Sequence, residues 1–419
     1  MIKCKSISPL QLIYTISIIV SLSFILLFHP IEFNDTPSYL RAWDNLSNGQ
    51  LDTFRTPLYP VFIGCAMSLF GKAWGWVVII VQYAIFLLSI KYFLRLSSGL
   101  LNEKCALVTT TFYAIYPTFN SWGNLILTDS LGLSLSVFFF YACYRIIKEG
   151  SLRHIILMAL LLLLLLAIRP SNISLLIPAA FSFLLLLFVK EKRKAGILGL
   201  AGVAFCSVLL IGYSSKIKEK TGVFTPSTVS VSNNLTIARM YGYLSPDAVD
   251  DPHRSEVIRQ NYEKYGEELT EGPVMFGAIG DLVNEFSVEE MKQLVDKSIK
   301  LNPLAWLKAL VKRTYFASLM PATTSYTSDI FRLHPLFPIN IGIIILVLLA
   351  YSVLIVIRLF KGCFNHESIF LAITSLCVIG VSIVGAQYEY NRLILPAMPC
   401  VLIIISQMIQ LFYESKGQR

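Results

Sequence analysis

The chain has 419 residues, 55% hydrophobic and only 15% charged, a balance that excludes a soluble globule of this size. Its net charge of +9 comes from basic residues dispersed beside apolar runs, which excludes the clustered footprint of a nucleic-acid binder. The eight cysteines show no paired spacing, so they read as small apolar packing residues rather than a zinc site or disulfide framework.

The apolar runs predict an all-α polytopic membrane protein with about ten transmembrane helices, at 9–28, 73–95, 104–119, 124–145, 153–168, 172–189, 195–212, 338–359, 366–386 and 393–413. No segment shows the alternation of an outer-membrane barrel. The first run is expected to stay as an anchor, because "LLFHPIEF" offers no small-residue cleavage site.

Next comes "IEFNDTPSYLRAWDNLSNGQLDTFRTPLYP", residues 31–60, with four acids, two arginines, two tyrosines and three prolines. Asp35 precedes Pro37, and Tyr39 follows four residues on. A helix starting near Pro37 puts Asp35 at its N-terminus, where a carboxylate commonly caps, and Asn34 is an equal capping candidate. Arg55, Pro57, Tyr59 and Pro60 form a stiff element whose prolines pre-position their neighbours. The apolar "LYPVFIGCAMSLFG" after it is too short to span and is expected at the interface.

Further along, Asp129 lies near the start of 124–145, Arg169 closes 153–168, and Arg392 opens 393–413 just after Tyr388 and Glu389. Asp35, Arg55, Asp129, Arg169, Glu389 and Arg392 thus form a ring at one predicted depth. The lack of midplane carboxylates or histidines counts against a proton-coupled transporter or an ion pump. A ring of this kind suits a cavity that accepts a charged head group on a lipid tail.

The long connection 213–337 is expected to be an outer-face region with juxtamembrane helices. "SVEEMKQLVDKSIKLNP" opens with Ser287 and Glu290 in capping-box spacing, and "LAWLKALVKRTYFASLM" sets Lys308, Lys312 and Arg313 against Leu304, Leu307, Leu310 and Val311, as in a helix lying on a membrane surface. The acidic stretch before it reads as a solvated face. The chain therefore divides into an N-terminal bundle, 1–212, with a first outer loop at 29–72; the outer region 213–337; and a three-span segment, 338–419. Basic residues concentrate at Lys3, Lys5, Lys91, Arg95, Lys104, Arg145, Lys148, Arg153, "KEKRK", Arg358, Lys361, Lys416 and Arg419, which places both termini in the cytoplasm.

The Asp-x-x-x-Tyr element of Asp35 and Tyr39, followed by R-x-P-x-Y-P at Arg55 to Pro60, resembles the GT-C superfamily of membrane glycosyltransferases. Within it the chain is similar to the bacterial branch of protein O-mannosyltransferases and lipid A aminoarabinose transferases; "LLLAIRPSN" and "YEYNRLILPAMP" resemble that branch's Arg-Pro and Arg-x-x-x-Pro elements. The resemblance implies a polyprenyl-phosphate sugar donor, such as an undecaprenyl-phosphate-linked sugar, used at the outer face of the cytoplasmic membrane. It also implies an envelope glycan, lipid or protein as acceptor and membrane lipids as surroundings; no nucleic acid is expected, since the basic residues are dispersed. Asp35 takes the place of the acid in the first outer loop and Asp129 that of a second acid. Arg55, Arg169 and Arg392 are candidate phosphate contacts, with Tyr39, Tyr59, Tyr388 and Glu389 lining the substrate site. The family's mannosyltransferases carry Asp-Glu where this chain has Asp35-Thr36, and the chain shows no large soluble C-terminal domain, which leaves the acceptor open.

No cofactor is required by this chemistry, since the donor arrives activated; a divalent cation between Asp35, Asp129 and the donor phosphate is the alternative. Two other functions use the same features: a flippase or transporter for lipid-linked saccharides, and a polymerase or ligase with a diphosphate-linked donor.

Overall fold

The computed structural model describes residues 8–270, 272–320, 340–362, 365–385 and 390–417. The chain is a multi-pass membrane protein built from helices. In order they are α1 (Pro9–Phe28), α2 (Thr36–Ser47), α3 (Leu58–Phe70), α4 (Trp74–Ser98), α5 (Glu103–Ile115), α6 (Pro117–Ser121), α7 (Asp129–Glu149), α8 (Leu152–Ile168), α9 (Leu176–Leu186) and α10 (Arg193–Thr221). There follow α11 (Val229–Met240), α12 (Pro252–Tyr265), α13 (Pro273–Glu285), α14 (Val288–Leu301), α15 (Pro303–Leu319), α16 (Ile341–Phe360), α17 (His366–Gly385), α18 (Tyr390–Leu393) and α19 (Met398–Gly417).

Among the described residues, seven helical runs are long and apolar enough to cross a membrane, and Leu152–Ile168 and Pro170–Leu186 are shorter apolar helices. Two expected spans are redrawn. The run at 104–119 is not one helix: Pro117 holds Tyr116 in extended backbone, so α5 stops at Ile115 and α6 restarts. The run at 124–145 begins later, at Asp129, because Trp122–Asn124 forms a 3₁₀ turn and Leu125 is extended. The segment at 58–71 is α3, with Tyr59, Pro60 and Ile63 buried; a 3₁₀ turn at Gly71–Ala73 joins it to α4 in one run, Leu58–Ser98.

The centre of the bundle is α7. Its apolar window is 83% buried, against 17% for α1 and α16, which makes it the core helix and those two peripheral. Leu133, Val137, Phe139, Phe140, Ile146 and Ile147 fill the space between it and α4, α8, α17 and α19. Cys143, Cys206 and Cys400 are buried free thiols, as expected of packing residues, whereas Cys65 is exposed.

A second apolar core is formed by α11 to α15, with Leu235, Ala238, Ile258, Leu282 and Leu294 inside. Ser287 and Glu290 make the reciprocal capping bonds that their spacing predicts. Arg239 is fully buried there, bonded to Asn261 Oδ1 (2.6 Å) and to the carbonyls of Gly266 (2.7 Å) and Glu267 (3.2 Å), and it lies over the Tyr262 ring. Along α15, Leu304, Leu307, Val311, Tyr315 and Leu319 form one exposed apolar stripe. Arg313 does not share the exposed polar side with Lys308: it is buried and donates through Nη2 to the carbonyl of Val384 at the end of α17 (2.8 Å).

Helix α2 packs on α3 through Trp43, whose ring lies 1.9 Å from where a Cβ on Gly64 would stand. Only glycine fits there. Gly64→Val is expected to destabilise the protein by about 1–3 kcal/mol in detergent unfolding, by overpacking. Gly380→Ala, with nothing within 4 Å of the added carbon, is expected to be silent or slightly stabilising.

Candidate active site

Two segments meet at one end of the bundle. Ile31 donates to the carbonyl of Asn124 (2.9 Å) and Ile126 donates to that of Ile31 (2.9 Å), a short parallel pairing between the chain after α1 and the chain before α7. Thr36 strengthens it: its hydroxyl accepts from the Phe33 amide (2.8 Å) and donates to the Ile126 carbonyl (3.1 Å). This fixes the starts of α2 and α7 side by side, each with an aspartate at its first turn.

Asp35 occupies the N-cap position of α2, as expected, but its side chain makes no capping bond. It turns outward to two arginines. Arg55 Nη2 donates to its Oδ1 (2.6 Å), and Arg392 Nη1 pairs with its Oδ2 (2.7 Å). Arg392 then bridges onward through Nε to Asp129 Oδ2 (2.8 Å), and Asp129 Oδ1 accepts from Arg169 Nη1 (2.5 Å). The charges alternate along one connected row, Arg55–Asp35–Arg392–Asp129–Arg169. Asp129 and Arg392 are its buried middle, with side chains 0% and 3% exposed; Asp35, at 28%, is the most open.

Each member is delivered by a helix break. Pro170 forces Arg169 into extended backbone, so α8 ends at Ile168 and the guanidinium swings toward Asp129. Arg55 sits in a turn built by Asp52, whose Oδ1 accepts from the amides of Phe54 (2.9 Å) and Arg55 (2.6 Å) and whose Oδ2 accepts from Asn45 Nδ2 (2.8 Å). The Arg55 guanidinium lies over the Tyr39 ring, 4.5 Å from its centre, and donates through Nε to Ser38 Oγ (2.7 Å). Tyr39 in turn meets Tyr59 edge-on, with ring centres 4.9 Å apart. The region 213–337 reaches this turn too: the amide and hydroxyl of Thr228 both donate to the Thr53 carbonyl, at 2.9 and 3.1 Å.

Seven of the nine residues singled out from sequence, Asp35, Tyr39, Arg55, Tyr59, Asp129, Arg169 and Arg392, therefore belong to one connected assembly. Tyr388 and Glu389 lie outside the described residues. Sequence reasoning missed Ser38 and Asp52. Ser38 carries no signal beyond its place before Tyr39, whereas Asp52, two residues before Phe54 in a turn-rich stretch, has the spacing of an aspartate that caps its own turn.

Burial alone would raise the Asp35 carboxyl, but the charges of Arg392 and Arg55 and their hydrogen bonds outweigh it and hold the group well below the usual carboxylate range. A depressed folded pKa stabilises the protein above the ordinary value of 3.8 and loses that contribution as pH falls through the lower folded value. All four carboxylate oxygens of Asp35 and Asp129 are held by guanidinium groups. Among the described residues no group of three or more His, Cys, Asp or Glu is placed to hold a metal ion. Near the row, Thr128 Oγ1, Ser130 Oγ and Tyr390 Oη are buried and make no hydrogen bond among the described residues.

Two outcomes follow from this geometry. Asp129→Ala leaves the half-buried Arg169 guanidinium without its carboxylate and takes from the buried Arg392 one of the two it holds, and is expected to destabilise the protein by about 3–5 kcal/mol in detergent unfolding. The Asp35 carboxylate infrared band, assigned against Asp35→Asn, is expected to titrate below 3.8 in the wild type and higher in Arg55→Gln, where burial meets one opposing charge fewer.

Residues 55–211 match the family model described as dolichyl-phosphate-mannose-protein mannosyltransferase. Two solved structures of an Archaeoglobus fulgidus oligosaccharyltransferase are similar in fold at 12% identity. The first, AglB with an inhibitory peptide and a dolichol-phosphate, matches over 97% of this chain and 52% of its own, with a TM-score of 0.50. The other, tethered to an acceptor peptide containing the NVT sequon, matches over 95% of this chain and 49% of its own, with a TM-score of 0.49. The chain thus spans about half the length of these structures. No curated protein matches. The sequence match over 55–211 and the shared fold support the GT-C resemblance that the motifs carry, that of a membrane glycosyltransferase.

Proposed function

We propose that this protein transfers a sugar from a polyprenyl-phosphate donor to an acceptor hydroxyl on an envelope glycan, lipid or protein, at the outer face of the cytoplasmic membrane. The observation that carries the reading is the ion-pair row, which ends in two arginines with donors to spare. Among the described residues, Arg169 makes no hydrogen bond through Nε or Nη2, and Arg55 none through Nη1. A guanidinium with free nitrogens beside an apolar bundle is suited to a phosphate that cannot leave its lipid.

Arg392 is engaged with both acids, so its part is to hold them in register, while Arg55 and Arg169 grip the donor. Thr128 and Ser130 supply hydroxyls for the sugar.

In the reaction the acceptor oxygen attacks the anomeric carbon, the bond from that carbon to the phosphate oxygen breaks, and the phosphate leaves with a second negative charge. Arginines already in place stabilise that developing charge more than the donor's own. Asp35 begins as a poor base, because two arginines hold it ionised. As the phosphate draws Arg55 to itself, the carboxylate regains basicity and takes the proton of the attacking hydroxyl.

The test uses purified protein and a synthetic polyprenyl-phosphate sugar. Asp35→Asn is expected to bind donor but to lose transfer by about 10²–10⁴-fold, the range for a positioned acid–base group. Full activity in that variant removes Asp35 from the mechanism. Arg169→Lys, which keeps the charge but not the fork, is expected to weaken donor binding about tenfold, and unchanged affinity refutes its phosphate role. In competition, a monophosphate carrier should displace donor better than a diphosphate one; the reverse order points to a polymerase or ligase.

A further inference from the structure

We infer that Gln82 and Tyr83, adjacent polar residues inside the membrane helix α4, are positioning residues that set the register of the two aspartate-bearing segments. This rests on the reading above, in which Asp35, held in register with Asp129 through Arg392, acts on a lipid-borne sugar phosphate.

An amide side chain inside an apolar helix is costly unless its polar atoms are satisfied. Gln82 is fully buried, and its bonds reach only the site. Its Nε2 donates to the carbonyls of Gly123 and Leu125, each at 3.0 Å, and its Oε1 accepts from the Tyr59 hydroxyl at 3.1 Å. Leu125, four positions before Asp129, is the residue paired with Ile31, which lies four positions before Asp35. Tyr59 is the tyrosine of the R-T-P-L-Y-P element, against which Tyr39 and then Arg55 are stacked. One side chain therefore touches both acid-bearing segments' support and the arginine's.

Tyr83 completes the clamp. Its Oη is shared between the carbonyl of Asn120 (2.7 Å) and Oδ1 of Asn124. Asn124 Nδ2 then donates to the carbonyls of Phe24 (3.2 Å) and His29 (3.0 Å). His29 ends α1 with φ 54, the one non-glycine residue at positive φ among the described residues, and this bend turns the chain toward Asp35. The fit is close: a Cβ on Gly123 would lie 2.5 Å from the Tyr83 ring. Through these bonds α4 fixes where Ile31 and Leu125 meet, and with them the separation of Asp35 from Asp129. A displacement of about 1 Å at such a site costs about 10²-fold in rate.

The experiment compares the full chain in detergent with Gln82→Met, Tyr83→Phe and, as control, Ser89→Ala. Ser89 is also buried in α4 and bonds to the Phe86 carbonyl (2.6 Å) and the Tyr113 hydroxyl (2.8 Å), away from the site. Gln82→Met keeps shape and removes the bonds. Hydrogen exchange read by mass spectrometry at the amides of Ile31 and Ile126 is expected to quicken about tenfold or more in Gln82→Met and Tyr83→Phe. The same two variants should lose about tenfold or more in kcat while donor KM stays within about threefold. Ser89→Ala should change neither. Should Gln82→Met not fold, Tyr59→Phe removes one hydroxyl and should quicken the same amides. Unchanged exchange at Ile31 and Ile126, or equal loss of kcat in Ser89→Ala, overturns the inference. If the wild type transfers no sugar while exchange responds as stated, the clamp stands and the glycosyltransferase reading fails.

Discussion

The row Arg55–Asp35–Arg392–Asp129–Arg169 is the constraint to which the rest of the structure answers. Isolated charges at the edge of an apolar bundle are expensive, and they persist only when paired and hydrogen-bonded. Five of them, drawn from five separate parts of the chain, can be paired only if the segments after α1, before α3, before α7, after α8 and before α19 all end at one place. Helix breaks make that convergence: Pro37, Pro57 and Pro170 stand beside Asp35, Arg55 and Arg169, and α7 begins at Asp129. Each break frees backbone groups that lipid cannot satisfy, and the structure satisfies them with Thr36, Gln82, Asn124 and Asn172.

The row also has a polarity. Asp129 and Arg392 are closed off and act as a fixed frame, while Arg55, Arg169 and above all Asp35 keep part of their surface exposed. The region 213–337 docks on the Arg55 turn through Thr228, and through Ser227, whose hydroxyl donates to the Phe54 carbonyl. That contact couples the largest connection in the chain to the most exposed arginine of the row. In the proposed reaction the same polarity separates the grip on the phosphate from the framework that keeps the two acids apart.

How much of this was legible in the sequence differs by kind of signal. Charge in an apolar sequence stands out, so the row's five members were identifiable without structure, and so was the capping box at Ser287. Their pairing order was not legible, because it depends on which helix ends meet in space. Asp35 illustrates this: its place before Pro37 correctly locates the start of α2, yet the side chain leaves the cap for Arg55 and Arg392. Helix α3 was legible only as a short apolar element, because the burial of Tyr59 and Ile63 and the fit of Gly64 on Trp43 depend on which helices meet it in space. Gln82 went unnoticed because an uncharged amide barely lowers the apolarity of a span. Its importance appears only when its partners do.

The most direct measurement places purified protein in sealed vesicles with a polyprenyl-monophosphate donor carrying a radiolabelled sugar, together with a hydroxyl-bearing acceptor, and follows the label. The account predicts that label leaves the lipid, appears in a covalent product, and liberates polyprenyl phosphate in equal amount. Label that crosses the bilayer still attached to its lipid, with no covalent product from any acceptor class, would contradict it and assign the ion-pair row to transport.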